Sequence, residues 1–348
     1  MRALIFLAAL LSGIHAAGAA SLSRETSPGG QPYIRIDMPD TDKVAIRVAW
    51  PTGWAARPDV NQAVPYLGTR LIMTGGAEGF PPGDVIEIMA DLGANADLIA
   101  NTQTVKGKLD VERDHLDEAL AIVNAHLKAP LLPEIWFARA RDELATLTVE
   151  RLSQPENAAS DALRWALYGD APLRRFIGDE PPDRIRSITR ADVVLWQQSV
   201  FTRNPLWIVV AGGLDAATAG KAVDAMLAGL PAGKTVEPFT TVADMRPRRI
   251  LLHLPDAPTS TLYLVGSLPA TSQGWALEDS LLIEAMQRDF INAVRSELRA
   301  TYDISGTQFH DSDRVAFFSF SGEMQARQLA PAEAALRKRY ALFRAGTG

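Results

Sequence analysis

The stretch 63-AVPYLGTRLIMTGGAEGF-80 reads as an apolar helix running into a glycine-rich turn, yet it carries Pro65 near its start and Gly68 in its body. Both residues oppose helix formation, proline through its missing N–H and glycine through the backbone entropy it loses. Leu67, Leu71 and Ile72 supply a packing face, so a helix is predicted from about Asn61 to Met73. Upstream, Val44–Gly53 (VAIRVAWPTG) has strand composition and ends at a Pro and a Gly. Downstream, Gly83–Gly93 reads as a short helix that Asp84 opens and Gly93 stops. Two strands follow, Ala94–Gln103 and Thr104–Val111, the second alternating Val105, Gly107, Leu109 and Val111 with polar neighbours.

An amphipathic helix then runs from Asp114 to about Leu127, with Leu116, Leu120, Val123 and Leu127 at helical spacing. Helices are also predicted from Pro133 to Leu152, Glu156 to Leu167, Thr189 to Val200 and Ala216 to Leu230. Pro205–Gly213 (PLWIVVAGG) is a wholly apolar strand, the composition of an interior strand. Residues 231–247, rich in Pro, Thr and Gly, read as a linker. Beyond it come strands at Arg248–Pro255 (RRILLHLP) and Ser260–Pro269, a helix at Trp275–Arg299, and strands at Tyr302–Phe309 and Arg314–Gly322.

The order strand, strand, helix, strand, strand, helix thus occurs twice. The expected fold is α+β: two related domains, each a mostly antiparallel sheet with helices packed on one side. Residues 21–230 form the first and 248–348 the second, which is expected to be incomplete because the sequence stops inside a helical stretch.

The 348 residues are 47% hydrophobic and carry a net charge of -6 without charge blocks, which suits a globular protein and disfavours nucleic acid or anionic lipid as a partner. Residues 1–20 have the marks of a signal peptide: Arg2, an apolar run from Ala3 to Leu11, and small residues before a cleavage after about Ala19 or Ala20. The alternative is an uncleaved anchor, against which the apolar run falls short of the ~20 residues a span needs. The mature protein is therefore expected to be periplasmic or secreted, with no stable membrane insertion. There is no cysteine, hence neither a disulfide nor a thiolate metal site.

Five histidines remain as metal ligands, one of them His15 in the signal segment. His115 and His126 are eleven residues apart on one predicted helix, about 16 Å along its axis, too far to share an ion. His253 and His310 fall in predicted strands, and no HxxH, HExxH or HxxEH string occurs. A GxSxG nucleophile motif is absent, and GGAEGF lacks the Lys-Ser/Thr and the following helix of a phosphate loop. From its residues alone the chain is a secreted α+β protein with two related domains.

The element order, together with VAWPTGW, MTGGAEGFPPGDVIEIMADLGANADLIANTQTV, LKAPLLPEIWFARARDEL and PLWIVVAGGLD, resembles the pitrilysin/insulinase family of zinc peptidases, the inverzincins. The resemblance covers nearly all of the mature sequence. In that family the helix after the first strands carries HxxEH, two zinc-binding His and a Glu that activates water. The resemblance places Pro65, Gly68 and Thr69 at the first His, the Glu and the second His, and none of them binds zinc or acts as a base. The third ligand, a Glu, falls near Ala145 or Thr146, with Glu143 and Glu150 close by as surface charges.

The family's second catalytic element is an Arg and a Tyr seven residues apart that hold the substrate and its developing oxyanion. VRSELRATY (Val294–Tyr302) keeps Arg295 and Tyr302 at that spacing, although Arg299 stands where the family string has Gly. The resemblance therefore implies a zinc-free subunit of a heterodimeric metallopeptidase. Such a subunit holds no cofactor itself, and zinc is expected in an HxxEH-bearing paralogous partner. An unfolded peptide would be the substrate, bound in part by strand addition at VAIRVAW. The alternative is a catalytically inactive structural or peptide-binding homologue.

Overall fold

The computed structural model describes residues 20–175, 180–236, 243–253, 259–270, 276–298, 303–310 and 315–346. The chain begins with a hairpin, β1 (Ser21–Thr26) and β2 (Pro32–Asp37), followed by β3 (Lys43–Pro51). Next come α1 (Val64–Thr74), α2 (Asp84–Asp91), β4 (Asn95–Ala100), β5 (Thr104–Glu112) and α3 (Leu116–Lys128). Five helices and a strand follow: α4 (Glu134–Leu152), α5 (Pro155–Tyr168), α6 (Pro182–Arg186), α7 (Arg190–Val200), β6 (Trp207–Gly212) and α8 (Ala216–Leu227). The last elements are β7 (Thr259–Ser267), α9 (Leu277–Leu298), β8 (Ile304–His310), β9 (Ala316–Gln325) and α10 (Leu329–Arg344).

These elements form two compact units. Unit 1 is Met1–Leu144 with Asp183–Pro238; unit 2 is Ala145–Pro182 with Phe239–Gly348. Residues 145–182, which lie inside the first domain as read from the sequence, thus cluster with the second unit.

Unit 1 is built on a six-stranded sheet in the order β1-β2-β6-β3-β5-β4. All pairs are antiparallel except β2 with β6, where Ile34 lies opposite Val209. The apolar β6 is interior, as its composition predicts. β3 alternates as a strand with a buried face should, and Val44, Ile46, Val48 and Trp50 are all buried. The hairpin β1–β2, which looks like a polar leader in the sequence, is anchored through its turn: Asp224 on α8 accepts hydrogen bonds from Ser27 Oγ (2.5 Å) and Gly29 N (2.8 Å).

Helices α1, α3 and α8 pack on this sheet, α3 against α8 and α1 against β4. The predicted apolar stripe of α3 is buried, as are Leu67, Leu71 and Ile72 of α1. These three buried aliphatic side chains of α1 contribute on the order of 4.5–9 kcal/mol by transfer from water. That covers the poor intrinsic propensity of α1, because Pro and Gly together cost about 4 kcal/mol in a helix interior and Pro65 sits in the first turn, where its missing N–H has no helical partner to lose.

In unit 2, three antiparallel strands take the order β7-β9-β8. Successive side chains of β9 point to opposite faces, and both are covered. Phe318 and Phe320 join Phe290 of α9 and Leu336 of α10 in one cluster, with Phe290 and Phe320 edge to face at 4.9 Å. Phe317, with Val315 just before the strand, packs with Leu167 and Tyr168 of α5 in another.

Element order repeats between the units. In unit 1, β3, α1, β4, β5 and a 3-10 turn (Arg113–His115) lead into α3; in unit 2, β7, α9, β8, β9 and a 3-10 turn (Ala326–Gln328) lead into α10. Sheet orders β3-β5-β4 and β7-β9-β8 correspond.

One expected strand does not form. Arg248–His253 has no regular secondary structure, and Ile250, Leu251 and Leu252 are exposed. Its counterpart in unit 1, β2, is held in its sheet by β6, and among the described residues unit 2 contains no strand in the β6 position. Strand composition without a hydrogen-bonding neighbour does not make a strand.

Candidate functional site

Helix α1 starts at a small network built on Asn61. The Trp54 Nε1–H donates to the Asn61 carbonyl (2.9 Å), Asn61 Oδ1 accepts from the Ala63 N–H (2.9 Å), and Asn61 Nδ2 donates to the Arg184 carbonyl (2.6 Å). The N-cap residue Ala63 has no side chain to cap with, and Asn61 satisfies its N–H instead.

Each of the three positions that the resemblance sets at the ligands and base is taken up by the fold. Pro65 is buried in the first turn of α1. Gly68 faces α7: a Cβ there would lie 2.4 Å from Trp196 Cζ3 and 2.5 Å from Cε3, so the fully buried indole fills the space of any side chain at 68. Thr69 is 6% exposed, and its hydroxyl donates back to the Tyr66 carbonyl at 3.1 Å. The odd residues of this helix are accounted for by close packing.

Around the expected third position, Ala145 is fully buried. Glu143 pairs with Arg70 of α1 at 2.7 Å with both side chains nearly half exposed, and Glu150 is exposed. Among the described residues, no group of three or more His, Asp or Glu side chains is placed to hold a metal ion. His126 is fully buried on α3, with Nδ1 2.8 Å from the Ile122 carbonyl and the ring beside Phe80. Burial lowers its pKa, which keeps it neutral. His310 ends β8, and His253 lies in the irregular segment after the linker.

The turn after α1 closes on itself and on the α3–α4 connection. Ala77 and Phe80 exchange backbone hydrogen bonds at 2.9 Å, and the Gly76 carbonyl accepts from Leu131 N at 2.9 Å. Gly76 has φ +79, and a Cβ there would meet the Phe80 carbonyl oxygen at 2.8 Å. GGAEGF is therefore a tight structural turn whose glycine requirement is conformational.

Beside α1 lies β4, the last strand of the unit 1 sheet, paired with β5 on one side only. Its unpaired edge, with Ile99 exposed, is able to accept an extended chain. The VAIRVAW strand is not: β3 is hydrogen-bonded to β6 and β5 on its two sides, so strand addition there is excluded. Sequence reading recognised both strands but carries no signal for which of them is an edge. It also missed Trp196, whose role depends on a contact between distant helices.

Arg295 lies in the last turn of α9 with an exposed side chain. Tyr302 lies outside the described residues, so the geometry of the Arg295/Tyr302 pair is not defined.

Pro65, Gly68 and Thr69, which the resemblance sets at the ligand and base positions, are thus closed off by packing. Residues 187–346 match the family model described as the peptidase M16 inactive domain. The sequence finds no match among curated proteins. Among solved structures, the peptidase M16 inactive domain from Pseudomonas fluorescens superposes with a TM-score of 0.80 at 16% identity, covering 94% of this chain and 80% of that one. A protease from Helicobacter pylori gives 0.73 at 13% identity, covering 92% and 80%. The periplasmic protease PqqL from Escherichia coli gives 0.66 at 16% identity, covering 88% of this chain and 35% of that one. At these identities the structural likeness is one of fold. Residues 187–346 are thus similar to the peptidase M16 inactive domain, and the described fold is that of these solved structures.

Proposed function

We propose that this chain is the zinc-free subunit of a heterodimeric periplasmic metallopeptidase. It presents an unfolded peptide to a paralogous partner that carries HxxEH and the zinc. The observation that carries this reading is the filling of the ligand positions by Pro65, Gly68 and Thr69, with Trp196 against Gly68, beside a sheet edge at β4 that stays open. A chain that had lost all connection with peptides would have no use for an exposed edge next to that helix, since such edges are aggregation liabilities.

In this reading the substrate adds as a strand to β4, where backbone hydrogen bonds give affinity without strict sequence preference. Arg295 and Tyr302 contribute at the partner's zinc: a guanidinium and a phenol O–H both donate to the carbonyl oxygen as it gains negative charge. Such stabilisation is worth about 3 kcal/mol. Residues 1–20 direct export, and residues 231–247 join the two peptidase-like domains. Among the described residues no helix is long and apolar enough to cross a membrane, and the structural likeness to a periplasmic protease supports the same placement.

The test is co-expression with an HxxEH-bearing paralogue, followed by zinc analysis and peptide cleavage. The pair is expected to cleave faster than the paralogue alone, and Arg295→Ala and Tyr302→Phe are expected to lower its rate. If neither the chain nor these substitutions changes the rate, the protein is instead an inactive structural homologue.

A further inference from the structure

We propose that Asp97 guards the open edge of β4 and admits an extended peptide that sets a Lys or Arg opposite it and an acidic residue opposite Ile99. This rests on the reading of β4 as the edge that takes substrate, and it names the chemistry of the substrate there.

The backbone register decides which groups that edge offers. Asn101 N donates to the Thr104 carbonyl at 2.8 Å, which makes those two residues a hydrogen-bonded pair. Counting back by twos, Ile99, Asp97 and Asn95 also turn their N–H and C=O towards β5, where they lie opposite Lys106, Lys108 and Asp110. Ala96, Leu98 and Ala100 therefore direct theirs to the open side. One of these groups is already engaged, because the Leu98 N–H donates to Oδ1 of Asp97 at 2.9 Å. The carboxylate folds back onto the next amide of its own strand and stands where the carbonyl of an added strand has to come. A peptide seated on β4 must displace it.

The surrounding charges set what displaces it best. Oδ2 of Asp97 is 3.8 Å from Lys108 Nζ, beyond hydrogen-bond distance, and both side chains are between a third and a half exposed. The carboxylate is thus held loosely on that side. A cation on the added strand, one strand spacing of about 5 Å away, draws it off the Leu98 N–H and pairs with it. Two residues along the same face, Ile99 is exposed and separates the added strand from the exposed Lys106. A glutamate opposite Ile99 lays its stem on that side chain and meets the ammonium beyond it. The residue between the two charges lies opposite Leu98 and turns to the covered face, where Leu98 and Ala100 are buried, so it is apolar. Added antiparallel, the more stable pairing, the peptide reads acid, apolar, base from its N-terminus.

The probe is a fluorescein-labelled Thr-Val-Glu-Val-Arg-Val-Thr peptide titrated into the full chain by fluorescence anisotropy, with hydrogen–deuterium exchange followed at Asn95–Ala100. It is expected to slow exchange at β4 and to bind about fivefold more tightly than the same peptide with Thr for both charged residues. Asp97→Ala is expected to abolish the contribution of the Arg. It is also expected to bind the uncharged peptide more tightly than the wild type does, because the Leu98 N–H is then free. Lys106→Gln is expected to abolish the contribution of the Glu alone. If both peptides slow exchange at β4 and bind equally, or if Asp97→Ala leaves the uncharged peptide's affinity unchanged, the guard is overturned while β4 stands as the substrate edge. If no peptide slows exchange at β4, the substrate edge is overturned and the guard with it.

Discussion

The indole of Trp196 stands against the α-carbon of Gly68, so that a Cβ on residue 68 would lie 2.4 Å from Cζ3, inside any real carbon–carbon contact. The glycine and the tryptophan are one device, and they are expected to respond to mutation together. Gly68→Ala gains about 1 kcal/mol in helix propensity but overpacks the α1–α7 contact at a cost of about 1–3 kcal/mol. A net loss of stability is expected in urea denaturation. In a Trp196→Leu background the same substitution is expected to be neutral or stabilising. That sign change in the double-mutant cycle is the signature of the direct contact.

Rebuilding the motif should not rebuild the metal site. The triple variant Pro65→His, Gly68→Glu, Thr69→His is expected to retain no stoichiometric zinc after dialysis and to cleave no peptide. A Glu at 68 has to displace Trp196, and the expected position of the third ligand is taken by the fully buried Ala145. Inductively coupled plasma mass spectrometry of the dialysed protein decides it. One zinc per chain would contradict the account of the helix.

Acid stability is expected to carry a contribution from His126. Its folded-state pKa is held by burial below the unfolded imidazole value of about 6.5. The unfolded chain therefore binds the proton first as pH falls, and stability declines from about pH 6.5 downward until the folded-state pKa is passed. Urea midpoints measured from pH 8 to pH 5 should show this slope in the wild type. They should show a shallower one in His126→Leu, which also removes a buried Nε2 that has no hydrogen-bond partner.

The β1–β2 hairpin is expected to depend on one carboxylate. Asp224→Ala removes the acceptor of both the Ser27 hydroxyl and the Gly29 N–H, a change of roughly 1.5–3 kcal/mol for hydrogen bonds to a charged group, reduced by partial exposure. Limited proteolysis should then cut near residues 27–31 at a protease concentration that leaves the wild type intact. Asp224→Asn should be intermediate, because it keeps an acceptor without the charge.

How much of this was legible beforehand depended on the range of the interaction. Local patterns carried the helices and most strands: Leu116, Leu120, Val123 and Leu127 announce the buried stripe of α3, and the apolar run of β6 announces an interior strand. The strand expected at Arg248–Pro255 does not form over its described part, Arg248–His253, because a strand needs a neighbour, which composition does not report. The β1–β2 hairpin was missed for the complementary reason, since its ordinary polar residues become a hairpin through Asp224, far along the chain. At the site, the resemblance singled out Pro65, Gly68 and Thr69, but nothing local reported how the fold packs them. Trp196 gives no local signal that it is the reason for a glycine on another helix.

Chain order has its own consequence for how the protein is made. Ile34 pairs with Val209, and between them the chain leaves the first unit at Ala145 and rejoins it at Asp183. The helix α5, made during that excursion, waits in turn for Phe317 and Val315 near the C-terminal end. Residues 145–182 of the second unit are thus made before the first is complete at Pro238, and the remainder of the second unit only afterwards. The first unit, whose sheet closes only when Trp207–Gly212 reaches β2, is expected to fold slowly, as contacts so distant in sequence demand.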